Sequence, residues 1–444
     1  MIKRTFYIPA QSVIRYPYVI AYGMVLSILF FVMHLYSIAP LAYLGCCMLA
    51  FTLFSFSEKE QFVFLTFLVP NLFMFKFLNS ASAILGYFFV AVSFKYLFVH
   101  FHTVKINPCL IAVFGASLLT SMYWNDVNFF ITSLRFVLNF FLFFSLGQLF
   151  EKKEIEKILV TYMFGTVVTV IMGIVYHVNA GNLYNGLFGG INCGRNYTMA
   201  LVSPVFSIIC LFFIERQVNV VMKLFLAITL FVCLICLILS ASRTATIALM
   251  FPVVLFISYI FNAKINFKSI KNYVSFVFLF GCVIYFLLLQ YVDSIDFLLD
   301  RFTKDDFEGG NGRFDLWKYY YECFTDSAVT MLIGNGWVYE NNTLAEHNFF
   351  IQSLYQIGII GTGSVCLLFF STFLTFVKSI RSLAWRSLFP LFVIVFSYFG
   401  VSALFSDQLS FLVVFALLVV RCFSSSNEDY NQLSVGVIYE HSTD

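Results

Sequence analysis

Four widely separated side chains share one chemical theme. Arg195, Arg243 and Arg313 each stand where a polar stretch meets an apolar run, and His347 stands between Glu346 and Asn348 where a long polar stretch gives way to the next apolar run. A guanidinium offers a permanent charge and a planar fork that grips phosphate oxygens in pairs. A neutral imidazole takes a proton from a hydroxyl near neutral pH. Arg313 also opens a predicted helix, with Asn311 or Gly312 as its cap and Asp315 in its first turn. Backbone N–H groups point outward at such a start, so this is a place for a phosphate. Phe314, Trp317, Tyr321 and Phe324 follow at spacings that put them on one helical face, lying on a membrane surface or packed over a bundle.

Each candidate has a plainer reading. Arg195 at a span end equally reads as a snorkelling anchor. Arg243 reads less so, because it sits among small residues, Ser240-Ala-Ser-Arg243-Thr-Ala, at an end where positive charge is disfavoured. Arg135 lies about 11 Å into an apolar run at 1.5 Å per residue. It serves either a function or a buried structural partner. Lys76 and Lys95 snorkel, and His34 and His177 read as packed or solvated. Asp305-Asp306 reads as solvated acid, since no His, Cys and Asp cluster accompanies it. No metal and no cofactor are expected. Of eleven cysteines, only Cys193 and Cys323 fall outside the apolar runs, so no disulfide framework is indicated.

The elements that must position these residues are membrane helices. The chain has 444 residues, 61% of them hydrophobic, 11% charged and 60 of them Phe, which no soluble domain of this size buries. Its apolar runs of about 20 residues predict an all-α, polytopic transmembrane bundle. Fourteen spans are predicted: 18–37, 39–56, 61–78, 81–100, 108–123, 128–150, 158–178, 197–214, 218–240, 244–261, 273–292, 348–376, 388–405 and 408–423. With a cytoplasmic N-terminus, seventeen of the 26 Lys and Arg fall inside and six outside: Arg195, Arg243, Arg301, Lys304, Arg313 and Lys318. That bias puts both termini in the cytoplasm. The organisation read from this is a bundle over 1–292, a large external loop over 293–347, two closing hairpin-like spans and their predecessor over 348–423, and a polar tail over 424–444. The basic residues are scattered between spans, so nucleic acid is excluded as a partner.

These motifs resemble a family. His347-Asn348, nine residues, Gly358, two residues and Gly361 resemble the His-Asn…Gly…Gly signature of O-antigen ligases and related polysaccharide polymerases. Ser242-Arg243-Thr-Ala resembles that family's Arg segment. Gly312-Arg313-x-x-x-Trp317, followed by Leu332-Ile-Gly334-Asn-Gly336, resembles the start of its large periplasmic loop. The resemblance spans Ser240 to Phe376. It implies a metal-independent, inverting membrane glycosyltransferase of the C-type fold in the bacterial inner membrane. Its partners would be undecaprenyl-diphosphate-linked glycans, the membrane lipid itself and a polysaccharide chain-length regulator. Arg243 and Arg313 would bind the donor diphosphate at the periplasmic face, and His347 would orient or deprotonate the acceptor hydroxyl. Arg195, Arg135, Asn348 and Trp317 are the further substrate-binding candidates.

The span count and the Leu332-Ile-Gly-Asn-Gly336 turn favour a polymerase of repeat units over a ligase that moves the finished glycan to lipid A-core. A lipid-glycan flippase is the competing class. Flippases and other transporters show matched halves with interrupted spans and midplane charge. Here one asymmetric loop holds most of the polar groups instead.

Overall fold

The computed structural model describes residues 14–78, 84–100, 102–103, 106–181, 188–215, 218–262, 313–337, 348–378, 380–383, 385–399, 401 and 404–426. Among these the protein is helical apart from a two-stranded ribbon pairing Ile380–Ser382 with Ser425–Ser426. Six described helices are long and apolar enough to cross a membrane, and five shorter apolar helices accompany them. The chain is a multi-pass membrane protein. The predicted eleventh span, 273–292, lies outside the described residues.

The helices in chain order are α1 Tyr16–Tyr36, α2 Pro40–Ser55, α3 Glu58–Leu68, α4 Ile84–His100, α5 Pro108–Trp124, α6 Val127–Gly147 and α7 Lys152–Asn179. There follow α8 Arg195–Glu215, α9 Val220–Ser240, α10 Arg243–Asn262, α11 Arg313–Thr325, α12 Ala328–Ile333, α13 Phe349–Val377, α14 Phe389–Phe399 and α15 Asp407–Phe423. Their starts are written in the sequence. Asn107, Asp126, Asn219, Asn348 and Ser406 each accept a backbone N–H from the first turn of the helix they precede. Two predicted spans differ. The third is α3 followed by a 3₁₀ turn over Val69–Met74, because Pro70 lacks the N–H that would continue the helix. The twelfth breaks at Gly358, whose φ of 62° and ψ of −167° are not helical.

The bundle is organised around α15. Every residue of this helix except Arg421 is buried, as expected of a helix that is apolar on all sides. Phe411 stacks on Phe415 and meets Phe143 at 5.3 Å between ring centres, while Tyr162 meets Phe415 at 4.3 Å. Around this axis, α6 packs with α4 and α15, α5 runs along α13, and α8 contacts α10 and α14.

One end of the bundle gathers the polar residues predicted to face the cytoplasm. Arg15 pairs with Glu60 at 2.8 Å and Lys59 with Glu154 at 2.8 Å, and the Lys152 ammonium donates to the Ser424 carbonyl at 3.2 Å. The first and last described segments therefore lie at the same end. Glu60 sits on the polar side of the predicted third span. Burial pushes its carboxyl up, but hydrogen bonds from Arg15 and Ser57 outweigh this and hold it down at about 2, against an ordinary value of 4.5. A depressed acid stabilises the fold fully above its unfolded value and loses that contribution as pH falls through its folded value. Glu60→Gln is therefore expected to lower the thermal midpoint in nanodiscs at pH 7. The gap from wild type should close as pH falls from about 4.5 towards 2. A gap that stays constant across that range would show that the Glu60 charge is irrelevant.

Candidate functional site

The opposite end of the bundle holds a cavity of about 770 Å³. Its walls come from the starts of α4, α6, α8, α13 and α15, from the 3₁₀ turn after α3, and from Trp337 beyond α12. The charge bias predicts every one of those ends to be external. The floor is the first turn of α15. There the Asp407 carboxylate pairs with Arg135 at 3.1 Å and accepts a hydrogen bond from the Asn139 amide at 2.6 Å. It lies against the backbone of α4, where a Cβ on Gly86 would stand 2.4 Å from its Oδ2. Arg135 also lies 5.6 Å from the centre of the Tyr87 ring. The partner anticipated for Arg135 is thus present, and Arg135 lines the cavity as well. Gln408, 1% exposed, sits on the same wall, and neither polar atom of its side chain has a hydrogen-bond partner.

The turn after α12 is joined to α13 by backbone hydrogen bonds. Asn335 N–H donates to the Tyr355 carbonyl at 2.7 Å, and Gly336 N–H donates to the Gln356 carbonyl at 3.0 Å. These acceptors exist because the helix breaks at Gly358 and stops using its own carbonyls. A Cβ on Gly358 would lie 2.5 Å from the Leu332 carbonyl carbon, and one on Gly334 would lie 2.4 Å from the Gln356 carbonyl carbon. Both glycines have positive φ. The end of α5 holds the turn from the other side, through Trp124 Nε1 donating to the Gly334 carbonyl at 2.9 Å and the Thr120 hydroxyl donating to the Ile333 carbonyl.

The predicted helix at Arg313 is present as α11, with Asp315 in its first turn. Its capping candidates Asn311 and Gly312 lie outside the described residues. Its packed face needs correction. Tyr320, 1% exposed, meets Tyr355 of α13 at 4.7 Å, and Phe324 is buried beside it. Phe314 and Tyr321 are 56% and 61% exposed. The face that docks therefore runs through Tyr320 rather than Tyr321, because α13 and not a membrane surface is its partner. Trp317 is half-buried and meets Phe314 edge-on at 5.6 Å.

Arg195, Arg243 and Arg313 each occupy the first position of a helix, α8, α10 and α11. The Ser242 hydroxyl donates to Asn196 Oδ1 at 3.3 Å, which sets the starts of α8 and α10 side by side. Gly194 and Tyr197, on either side of Arg195, line the cavity. A cation at a helix N-terminus opposes the helix dipole by about 0.3–1 kcal/mol. Asn348 caps α13, its Oδ1 accepting from Phe350 N–H at 3.0 Å and Ile351 N–H at 3.3 Å. His347, Asp305 and Asp306 lie outside the described residues.

His34 and His177 are packed, contacting the Met74 carbonyl at 2.7 Å and the Gly189 carbonyl at 3.0 Å. Cys193 and Cys323 are free thiols. Among the described residues no cluster of His, Cys, Asp and Glu has the makings of a metal site.

The sequence reading missed Asp407, Gln408, Gln352 and Gln356. Asp407 fell in the tight turn between the last two predicted spans, and Gln408 opened the last of them. The glutamines had a usable signal, a spacing of four at the head of an apolar span, which places them on one face.

Gly358→Ala should cost several kcal/mol of stability, since it adds a backbone clash to a φ that only glycine adopts readily. Gly363→Ala, with nothing near its Cβ, should be neutral or slightly stabilising. Thermal unfolding of the two variants in detergent checks this, and equal midpoints would refute the docking geometry.

Residues 228–366 match the family model described as O-Antigen ligase. No curated protein matches the chain. The match begins within α9, takes in α10, α11 and α12, and ends within α13. It contains Arg243, Arg313 and the two docking glycines, so residues 228–366 carry a domain of the O-antigen ligase family, the family that the chain's own short motifs resemble.

Proposed function

We propose that the protein is a polysaccharide polymerase. In this reading it joins undecaprenyl-diphosphate-linked oligosaccharide repeat units at the external face of the membrane by inverting glycosyl transfer. The observation that carries the reading is the convergence of helix starts. Two helices, α8 and α10, open on Arg side by side, where the dipole disfavours a cation, and their starts are hydrogen-bonded together through Ser242 and Asn196; α11 opens on Arg313 as well. Positive charge placed against the local preference suits an anionic ligand that recurs at that spot.

A glycosyl diphosphate already carries a good leaving group. Its transfer needs charge neutralisation as the C–O bond breaks and a base for the incoming hydroxyl. Arg243 and Arg313 take the first task, with Arg195 beside them, through preorganised charge in a site shielded from bulk water. His347 takes the second. The hydroxyl proton passes to the imidazole as the oxygen attacks the anomeric carbon, and the electron pair of the breaking bond leaves with the diphosphate. Inversion follows from a single displacement.

The name of the matching family favours a second reading, a ligase that transfers the lipid-linked glycan to lipid A-core. Purified protein given lipid-linked repeat units alone distinguishes the two. A ladder of chain lengths supports polymerisation, and product formed only on addition of lipid A-core supports ligation. His347→Ala is expected to slow product formation by ~10²–10⁴-fold. Arg243→Ala and Arg313→Ala are expected to raise the donor concentration required by roughly 10- to 100-fold. Elongation by His347→Ala at the wild-type rate would sink the catalytic assignment.

A further inference from the structure

We infer that the cavity at the head of α15 is a sugar-reading subsite, separate from the diphosphate-binding arginines, with Gln408 as a specificity-determining residue. The inference rests on the lipid-linked glycan reading above and deepens it.

Gln408 is the starting point. Its side chain is almost fully buried, it lies on the cavity wall, and neither its amide nitrogen nor its amide oxygen has a partner within the protein. A buried polar group left in this state is destabilising, and native proteins rarely tolerate two on one side chain. Both atoms are sealed off as the side chain stands, so an occupant of the cavity satisfies this amide by drawing it round to face the cavity. The occupant has to accept from the nitrogen and donate to the oxygen, which a hydroxyl-bearing molecule does and a fully ionised phosphate does not.

Charge points the same way. Arg135, the cavity's own cation, is paired with Asp407, so the described lining has no net charge to hold a diphosphate. Arg195 and Arg243 are not among the described lining residues. What the walls offer instead are further amides, Gln352 and Gln356, and the aromatic rings of Tyr87, Tyr197 and Trp337. Amides match the paired donors and acceptors of neighbouring sugar hydroxyls, and aromatic faces match the apolar C–H face of a pyranose. The volume of about 770 Å³ lies within the range of ligand pockets and far exceeds the space of a single ordered water. The ligand class is therefore a neutral oligosaccharide, the glycan part of the lipid-linked substrate.

The test is equilibrium binding to the full chain in nanodiscs, with two probes. One is the lipid-free repeat-unit oligosaccharide released by mild acid from the lipid-linked intermediates of cells that make this protein. The other is undecaprenyl diphosphate without sugar. Gln408→Met keeps the length of the side chain and removes both hydrogen bonds. It should weaken oligosaccharide binding roughly tenfold or more and leave undecaprenyl diphosphate binding unchanged. Thr132→Val, at another lining residue, provides a second variant if Gln408→Met does not fold, with a loss in the same direction.

Unchanged oligosaccharide affinity in the folded variants would mean that the cavity holds only water, and would overturn the assignment. Equal loss of both probes would also overturn it, because the cavity would then not be separate from the diphosphate site. Binding needs no turnover. A protein that binds the oligosaccharide through Gln408 yet elongates nothing therefore supports this subsite while overturning the transfer reaction.

Discussion

Two glycines lying backbone against backbone fasten the turn after α12 to the membrane bundle. Gly334 and Gly358 approach so closely that a methyl group on either would meet the other segment's main chain. The break at Gly358 releases the Tyr355 and Gln356 carbonyls, and the turn at Asn335 and Gly336 supplies the N–H groups that they accept. Without this exchange, α13 would carry unpaired polar backbone at its break and Trp337 would have no fixed place above the cavity.

The cavity end separates its electrostatics into two zones. Arginines open α8 and α10, while inside the cavity the Arg135 charge is answered by Asp407. Burying a charge without a partner is strongly unfavourable, and removing one member of such a pair costs about 3–5 kcal/mol. Arg135 and Asp407 therefore depend on each other, and the pair joins α6 to the head of the central helix. The opposite end uses the same device at a polar boundary, where Arg15, Lys59 and Lys152 tie the first described segment, the α7 start and the last described segment together.

Much of this was legible in the residues. Apolar runs located most helices within a few positions, since a span cannot hide its composition, and Asx, Ser and Pro residues marked their starts. Arg313 as a helix start and Pro70 as a weak point were both readable from local chemistry. The docked face of α11 was not, because Tyr320 and Tyr321 are equally apolar and only the position of Tyr355 chooses between them. The cavity floor was hidden for a related reason. Asp407 looked like a turn residue between two spans, and Gln408 like the first residue of the second. Their burial depends on α4 and α6 approaching from more than 260 residues away, which no local pattern encodes. Gly358 was visible as part of a motif, but its role as a helix break emerges only with the partner turn in place.

A joint made of main-chain atoms imposes few demands on the side chains around it. Apart from the two glycines and the Trp124 indole, the turn at Gly334 is gripped through carbonyls and amides that nearly any residue supplies, so its other neighbours are free to vary in shape and polarity while the joint stays intact. Such a joint lets the segment above it change its surface without redesigning the anchor beneath.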